Sequence, residues 1–358
     1  MSRAMIERYK TQKVMLGNIG IGGDSPVSVQ SMNNTDTRDV EATLKQISEL
    51  ASCGCDITRV AILNMEAAEA LKEITKRSPI PVVADIHFDY RLALASIENG
   101  AAKIRINPGN IGGDDRVRSV AEKAKEYGIP IRVGVNSGSI GKDMLEKYGG
   151  VNASSLSESA LYAIRLLEKH DFRDIVVSMK SSDPVLTIES YRLLRDKVPY
   201  PFHVGVTEAG TLREGVIRSS VGIGALLSEG IGDTIRVSLT DEPVEEVRAG
   251  ISILRSLGLR SQGMRMVSCP TCGRTQVPLI EVAKEVEARI SDLPYSMTVA
   301  VMGCAVNGPG EAREADIGIA GGVDEFLLFC KGKPIKKVSQ DKAVDELISM
   351  IHQMNGEK

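Results

Sequence analysis

The sequence predicts an α/β chain: a (β/α)8 TIM barrel over residues 1–258, followed by a C-terminal α+β domain over residues 259–358. Three observations carry this. Between Val27 and Leu257, eight short β-branched runs alternate with eight amphipathic stretches of helical period. The alternation stops near Leu259. Beyond it lie two thiol-bearing loops, Ser268-Cys269-Pro270-Thr271-Cys272-Gly273 and Gly303-Cys304-Ala305-Val306-Asn307-Gly308-Pro309-Gly310-Glu311.

Residues 12–25 open the chain as a glycine-rich hairpin. The strand runs follow at 27–32, 57–62, 81–87, 103–107, 130–136, 175–181, 201–207 and 234–240. The helical stretches between them are 38–51, 65–77, 90–99, 114–127, 157–169, 185–197, 211–228 and 244–257. Gly54, Gly100, Gly128 and Gly258 stand where helices end, as expected of residues that close a helix in the left-handed conformation. A doubly wound open sheet is the competing parallel architecture. It rarely runs to eight consecutive units, and no G-x-G-x-x-G follows the first strand.

Composition narrows the function. The chain has 358 residues and a net charge of −3, so no bulk attraction to nucleic acid is implied. Trp is absent and aromatic residues are few, which argues against base-stacking platforms. No apolar run reaches the length of a signal peptide or a membrane span, so a cytoplasmic protein is expected. Its six cysteines are then reduced, and clustered ones serve metal binding. Cys53, Cys55 and Cys330 read instead as small apolar residues.

Polar residues inside the strands point to a site. Alternate side chains of a strand face opposite sides. Asp85 and His87 share a face, as do Arg105 with Asn107, Arg132 with Asn136, His203 with Thr207, and Arg236 with Ser238. Arg59 lies within the second strand, and Lys180 near the end of the sixth. The opposite parity is apolar: Val82, Ala84, Ile104, Ile106, Ile131, Val133, Val204, Val206, Ile235 and Val237. If those residues meet the helices, the polar set faces the barrel axis near its C-terminal mouth, where barrel enzymes work. Five cations then converge there: Arg59, Arg105, Arg132, Lys180 and Arg236. One arginine in a strand is ordinarily a snorkelling or salt-bridged residue. Five at equivalent positions need an anion, because burying unpaired cations is costly. Asp85 and Glu208 neutralise only part of the charge, and a diphosphate suits the rest, since guanidinium forks match phosphate oxygens. His87 and His203, taken singly, read as satisfied core histidines.

The second domain reads as strands at 264–268, 297–302 and 317–320, helices at 278–290 and 341–354, and a hairpin at 326–331 and 333–338. The basic run 331–337 reads as a solvated hairpin. Cys269, Cys272 and Cys304 give three thiolates, one short of a closed iron–sulfur or zinc site. The nearest fourth ligand is Glu311. Zinc sites usually bring a second cysteine pair or a histidine, and none of His87, His170, His203 and His352 neighbours the thiols in sequence. Spacing alone favours a cluster and leaves zinc open.

Together these residues resemble the bacterial 4-hydroxy-3-methylbut-2-enyl diphosphate synthases of the methylerythritol phosphate route to isoprenoids. The resemblance spans nearly the whole chain. It rests on Val29-Gln30-Ser31-Met32, Ala84-Asp85-Ile86-His87-Phe88-Asp89, Arg105-Ile106-Asn107-Pro108-Gly109-Asn110, Arg132-Val133-Gly134-Val135-Asn136 and Val206-Thr207-Glu208-Ala209-Gly210. It continues through Ser268-Cys269-Pro270-Thr271-Cys272-Gly273-Arg274-Thr275 and Asn307-Gly308-Pro309-Gly310-Glu311-Ala312-Arg313-Glu314-Ala315-Asp316. Asn33, Ser137 and Ala305 depart from the family pattern without removing a ligand. The resemblance implies a [4Fe-4S] cluster on Cys269, Cys272, Cys304 and Glu311. It implies reductive opening of 2-C-methyl-D-erythritol 2,4-cyclodiphosphate, a small-molecule cyclic diphosphate, with electrons from flavodoxin or ferredoxin. It also implies a head-to-tail homodimer in the two-domain form, in which the barrel of one subunit faces the cluster domain of the other. On this reading the arginines, Lys180, Asp85, Asn107, Asn136, His203, Thr207 and Ser238 bind substrate. Glu208 is the candidate proton donor, with His87 behind it, and Glu311, a harder ligand than thiolate, suits an iron that must open a site.

Two other classes compete. One is a zinc-stabilised barrel doing aldol or isomerase chemistry on a sugar phosphate, with Lys180 as Schiff-base lysine. The other is a phosphometabolite sensor that uses a cluster for redox input.

Overall fold

The apolar parity of the strands does meet a layer of helices, and the sheet closes on itself. The computed structural model describes residues 6–261, 263–291, 293–304 and 312–356. It divides into two units, residues 1–260 and 261–358.

In the first unit, β1 (Val14–Leu16) and β2 (Ile19–Ile21) form an antiparallel hairpin. Eight barrel strands follow: β3 (Ser28–Met32), β4 (Ile57–Ala61), β5 (Val82–Asp85), β6 (Lys103–Ile106), β7 (Ile131–Asn136), β8 (Ile175–Lys180), β9 (His203–Val204) and β10 (Thr234–Ile235). They lie in the order β8-β7-β6-β5-β4-β3-β10-β9, and the paired neighbours are parallel. A parallel bridge between Val177 and Phe202 closes the ring. The helices are α1 (Val40–Ser52), α2 (Met65–Arg77), α3 (Tyr90–Glu98), α4 (Asp114–Tyr127), α5 (Lys142–Tyr148), α6 (Ala153–Glu168), α7 (Pro184–Leu194), α8 (Leu212–Ser228) and α9 (Pro243–Leu257).

Each element has a local reason. Asp39, Asn64, Asp89, Asn152 and Asp183 cap the starts of α1, α2, α3, α6 and α7 by accepting from backbone N–H groups. Gly128 and Gly258 close α4 and α9 with φ of 64° and 75°. The short α5 is absent from the sequence reading, because seven residues give too little periodicity. The last two strand runs are shorter than expected. Regular pairing stops at Val204 and Ile235, and single bonds carry on toward the mouth, Thr207 N to Ser181 O at 3.1 Å and Arg236 N to Val204 O at 3.0 Å.

The main core lies between strands and helices and includes Val29, Val60, Ala84, Ile104, Val133, Val177, Val204 and Ile235. A separate apolar cluster forms the barrel floor. There Leu16 and Ile21 of the hairpin pack on Ile57 and Val83 from inside the barrel. Buried Asp233 ties down the N-terminal segment by accepting from Arg8 (2.6 Å), Thr11 (3.1 Å) and the Phe202 N–H (2.8 Å).

The second unit contains β11 (Arg265–Ser268), α10 (Leu279–Ile290), β12 (Thr298–Met302), β13 (Ile317–Gly321), β14 (Glu325–Cys330), β15 (Lys333–Ser339) and α11 (Ala343–Met354). Its sheet runs β11-β12-β13-β14-β15, the first two pairings parallel and the last two antiparallel. α10 and α11 pack on it through Val286, Ile290, Leu347 and Ile351 against Val299, Val301, Ile319 and Leu328. β15 is an exposed edge strand. Lys336 pairs with Glu346 and Lys337 with Glu325, as expected of a solvated hairpin, and Pro334 with the lysines disfavours further pairing at that edge. Among the described residues no helix is long and apolar enough to cross a membrane.

Candidate active site

The inward parity of the strands builds a cavity of about 120 Å³ at the C-terminal mouth of the barrel. Arg59, Asp85, His87, Arg105, Arg132, Asn136, Ser178, Lys180, Thr207 and Arg236 line it. All five predicted cations are therefore brought together. Adjacent register rows explain the convergence: Asp85 lies beside Arg105, Arg105 beside Arg132, and Asn136 beside Lys180.

Asp85 is the anionic centre of this group. Arg105 Nη1 donates to its Oδ1 at 3.3 Å, and Arg59 Nε stands 4.0 Å from its Oδ2. Burial works to raise the Asp85 carboxyl, but the fields of Arg59, Arg105 and Arg132 outweigh it and hold the group below its ordinary range. The second carboxylate among the cations is Glu246, from the first turn of α9. It takes Arg236 in a forked pair, Nη2 donating to Oε1 at 3.0 Å and Nε to Oε2 at 3.3 Å, and accepts the Leu239 N–H at 2.9 Å. The sequence reading assigned this neutralising role to Glu208. The structure leaves the Glu208 side chain exposed on the loop after β9, with φ at +51°. A non-glycine residue in that region is strained, and strain of this kind gathers at working loops.

Arg132 is 1% exposed, and its Nε and Nη1 have no hydrogen-bond partner among the described residues. Burial, then Arg59 and Arg105, push its guanidinium well below the usual range. Arginine keeps its proton near neutrality, so the cost appears as positive potential that an anion would relieve. Two glycines make room for the long side chains. A Cβ at Gly134 would meet Arg105 Nε at 2.3 Å, and one at Gly205 would meet Lys180 Nζ at 2.9 Å.

The remaining predicted residues divide. Asn136, Thr207 and His87 line the cavity, His87 as an exposed side chain at its rim. Asn107 and Ser238 are partly buried and do not line it; Asn107 Oδ1 instead accepts the Gly109 N–H at 3.2 Å. His203 does not line it either. It is fully buried, and neither ring nitrogen has a hydrogen-bond partner among the described residues, so it is not the satisfied core histidine expected. Burial, then Arg132 and Lys180, push its imidazole well below its ordinary range, which leaves it neutral. Sequence reasoning missed Ser178 and Glu246. Ser178 shares a face with Lys180, two residues on, so parity alone would have found it.

The thiols belong to the second unit. Cys269 follows β11 and Cys304 follows β12 by two residues, and these strands are adjacent and parallel with Ser268 opposite Val301. Both thiols therefore leave the same end of the sheet, and the Gly303 N–H donates to Cys269 Sγ at 3.2 Å. Cys272 is exposed, and hydrogen bonds from the Arg274 backbone and side chain draw its thiol down toward the thiolate. Three thiols on loops at one sheet end suit a soft metal cluster, and an N–H donor to sulfur suits a thiolate ligand. Among the described residues no three His, Cys, Asp or Glu side chains, these thiols included, gather closely enough to hold a metal ion, and Glu311 lies outside the described residues. By contrast Cys55 is buried, and burial pushes its thiol up to about 12, so the apolar reading stands there.

A family model described as the GcpE TIM-barrel domain matches residues 11–251, and one described as the GcpE protein C-terminal domain matches residues 265–353. The chain belongs to the GcpE family. Two relatives named 4-hydroxy-3-methylbut-2-en-1-yl diphosphate synthase (flavodoxin) illustrate the family's reach. The Ruminiclostridium cellulolyticum protein is 61% identical, covering 98% of this chain and 99% of its own. The Desulfotalea psychrophila protein is 52% identical, covering 99% and 98%. Among solved structures, type I 3-dehydroquinate dehydratase from Clostridium difficile aligns with a TM-score of 0.50 at 12% identity, over 68% of this chain and 99% of that one. That likeness is one of fold alone. The cation-lined cavity falls within the GcpE barrel match and the three thiols within the C-terminal match.

Proposed function

We propose that the chain is a 4-hydroxy-3-methylbut-2-en-1-yl diphosphate synthase. It opens the ring of 2-C-methyl-D-erythritol 2,4-cyclodiphosphate reductively and gives (E)-4-hydroxy-3-methylbut-2-enyl diphosphate. Two electrons and one proton enter; the linear diphosphate, with one more negative charge, and one water leave. Full-length relatives that bear this name support the activity. The single structural observation that carries the reading is the cavity in which four arginines and Lys180 outnumber the two carboxylates beside them.

In this reading Arg59, Arg105, Arg132 and Arg236 hold the diphosphate and stabilise it as it leaves carbon. Asp85 fixes the forks of Arg59 and Arg105. Asn136 and Thr207 orient the neutral part of the substrate. Glu208, held out on its strained loop, hands the proton to the departing hydroxyl, and His87 stands at the rim as the alternate donor. A [4Fe-4S] cluster held by Cys269, Cys272, Cys304 and Glu311 supplies the electrons when bound. Flavodoxin reduces it, with ferredoxin as the other donor class; the working assembly is a homodimer, and the compartment is the cytoplasm.

Anaerobic turnover of the cyclodiphosphate with a chemical reductant tests the reading. Release of the linear diphosphate, with iron and sulfide in the purified chain, is expected. Zinc in place of iron, or no turnover by iron-loaded protein, would sink it.

A further inference from the structure

Lys180 is the amine among the described cavity cations. The guanidinium groups beside it keep their protons across the working pH range. Lys180 is 7% exposed, and its Nζ takes up space that a side chain at Gly205 would need, 2.9 Å from where a Cβ would stand. Among the described residues no carboxylate lies within ion-pair distance of it. Asp85 is engaged by Arg59 and Arg105, and Glu246 by Arg236.

The charged and titratable groups around it are mostly cationic. β7 presents Arg132, with Asn136 directly beside Lys180. β10 presents Arg236, backed by Glu246 of α9. Across the cavity stand Arg59, Arg105 and Asp85, with His87 at the rim. His203 of β9 and Lys103 of β6 are fully buried, with no hydrogen-bond partner among the described residues, on strands of the same barrel. Burial, then Arg236, Arg132 and Arg59, hold the Lys180 ammonium well below its ordinary range, with Glu246 opposing.

We propose that capture of the diphosphate is coupled to proton uptake: Lys180 waits as a neutral amine and takes one proton from solvent as the ligand arrives. The proposal rests on the reading of this cavity as the cyclodiphosphate site. The charges fit such a scheme. Four guanidinium groups against Asp85 and Glu246 leave two positive charges facing Lys180 in the ligand-free cavity, and a bound dianion cancels them, so that the amine can take its proton. Ring opening adds a third negative charge, and the protonated Lys180 supplies the third positive one. The sign follows from linkage. A bound anion favours the ammonium, so affinity falls as pH rises between the free and bound titrations of Lys180.

Calorimetry on the oxidised holoenzyme, with the cyclodiphosphate and no reductant, tests this. Both phosphate hydroxyls of that ligand are strong acids, so it brings no exchanging proton of its own near neutrality. Binding heat is measured in buffers of different ionisation enthalpy. A slope of about one proton taken up, and affinity falling by up to about tenfold per pH unit, are expected for the native protein. Lys180→Arg, charged before and after binding, should bind with a slope near zero. Normal binding with no slope in the native protein overturns the coupling and leaves the substrate reading intact. An unchanged slope in Lys180→Arg overturns Lys180 as the acceptor in favour of His87, His203 or Lys103. No binding of the cyclodiphosphate at all overturns the cavity reading itself.

Discussion

Arg105 reaches across the inner face of the barrel over Gly134, its guanidinium donating to the Gly134 carbonyl at 3.4 Å while it holds Asp85 at 3.3 Å. A side chain at position 134 would occupy the space that the Arg105 Nε fills. Gly134→Ala should therefore displace the fork and weaken cyclodiphosphate binding by roughly 10- to 100-fold, as misplaced site groups do. Titration calorimetry reads the loss, while the cluster's absorbance should stay as it is. Unaltered affinity would mean that the guanidinium relocates freely.

On the proposed reading Arg132 trades stability for binding. It is buried with unpaired donors among other cations, so removing it relieves a cost in the ligand-free protein. Arg132→Met should raise unfolding free energy by about 1–3 kcal/mol and weaken substrate binding at the same time. Urea unfolding and calorimetry on the same preparation check both signs. A drop in iron content parallel to activity would remove the assigned role.

Glu246 has the opposite character. Glu246→Leu strands Arg236 as an unpaired, part-buried charge, which costs about 3–5 kcal/mol. Chemical denaturation should show that loss. Saturating cyclodiphosphate should restore part of it, since a phosphate can take the place of the carboxylate beside Arg236. No restoration would mean that Arg236 does not meet the ligand.

For the thiol domain, Glu311→Cys should give a cluster held more tightly but inactive, read by iron retention against a chelator alongside turnover. Full activity in that variant would take Glu311 out of the chemistry.

The inward set was legible in the sequence because strand parity is local: every second residue of a run such as Arg132 to Asn136 shares a face, whatever surrounds it. Glu246 was not. Its role depends on where α9 starts relative to β10, and nothing in Val244-Glu245-Glu246-Val247 separates the buried acid from its half-buried neighbour Glu245. Glu208 was legible as a loop acid, but its left-handed backbone and exposure are set by the path of the chain beyond β9. The unpaired state of His203 was equally hidden, since pairing depends on what the other barrel strands place opposite it. The C-x-x-C spacing announced a thiol-bearing loop. The shared sheet end of Cys269 and Cys304 came only with the parallel register of β11 and β12.

The hairpin of β1 and β2 stoppers the bottom of the barrel with Leu16 and Ile21. The chamber above is thus a cul-de-sac, and its occupant must back out through the doorway by which it came. On the proposed reading, spent diphosphate lingering among the arginines would bar the next molecule, and the product should compete with the reactant for the empty enzyme.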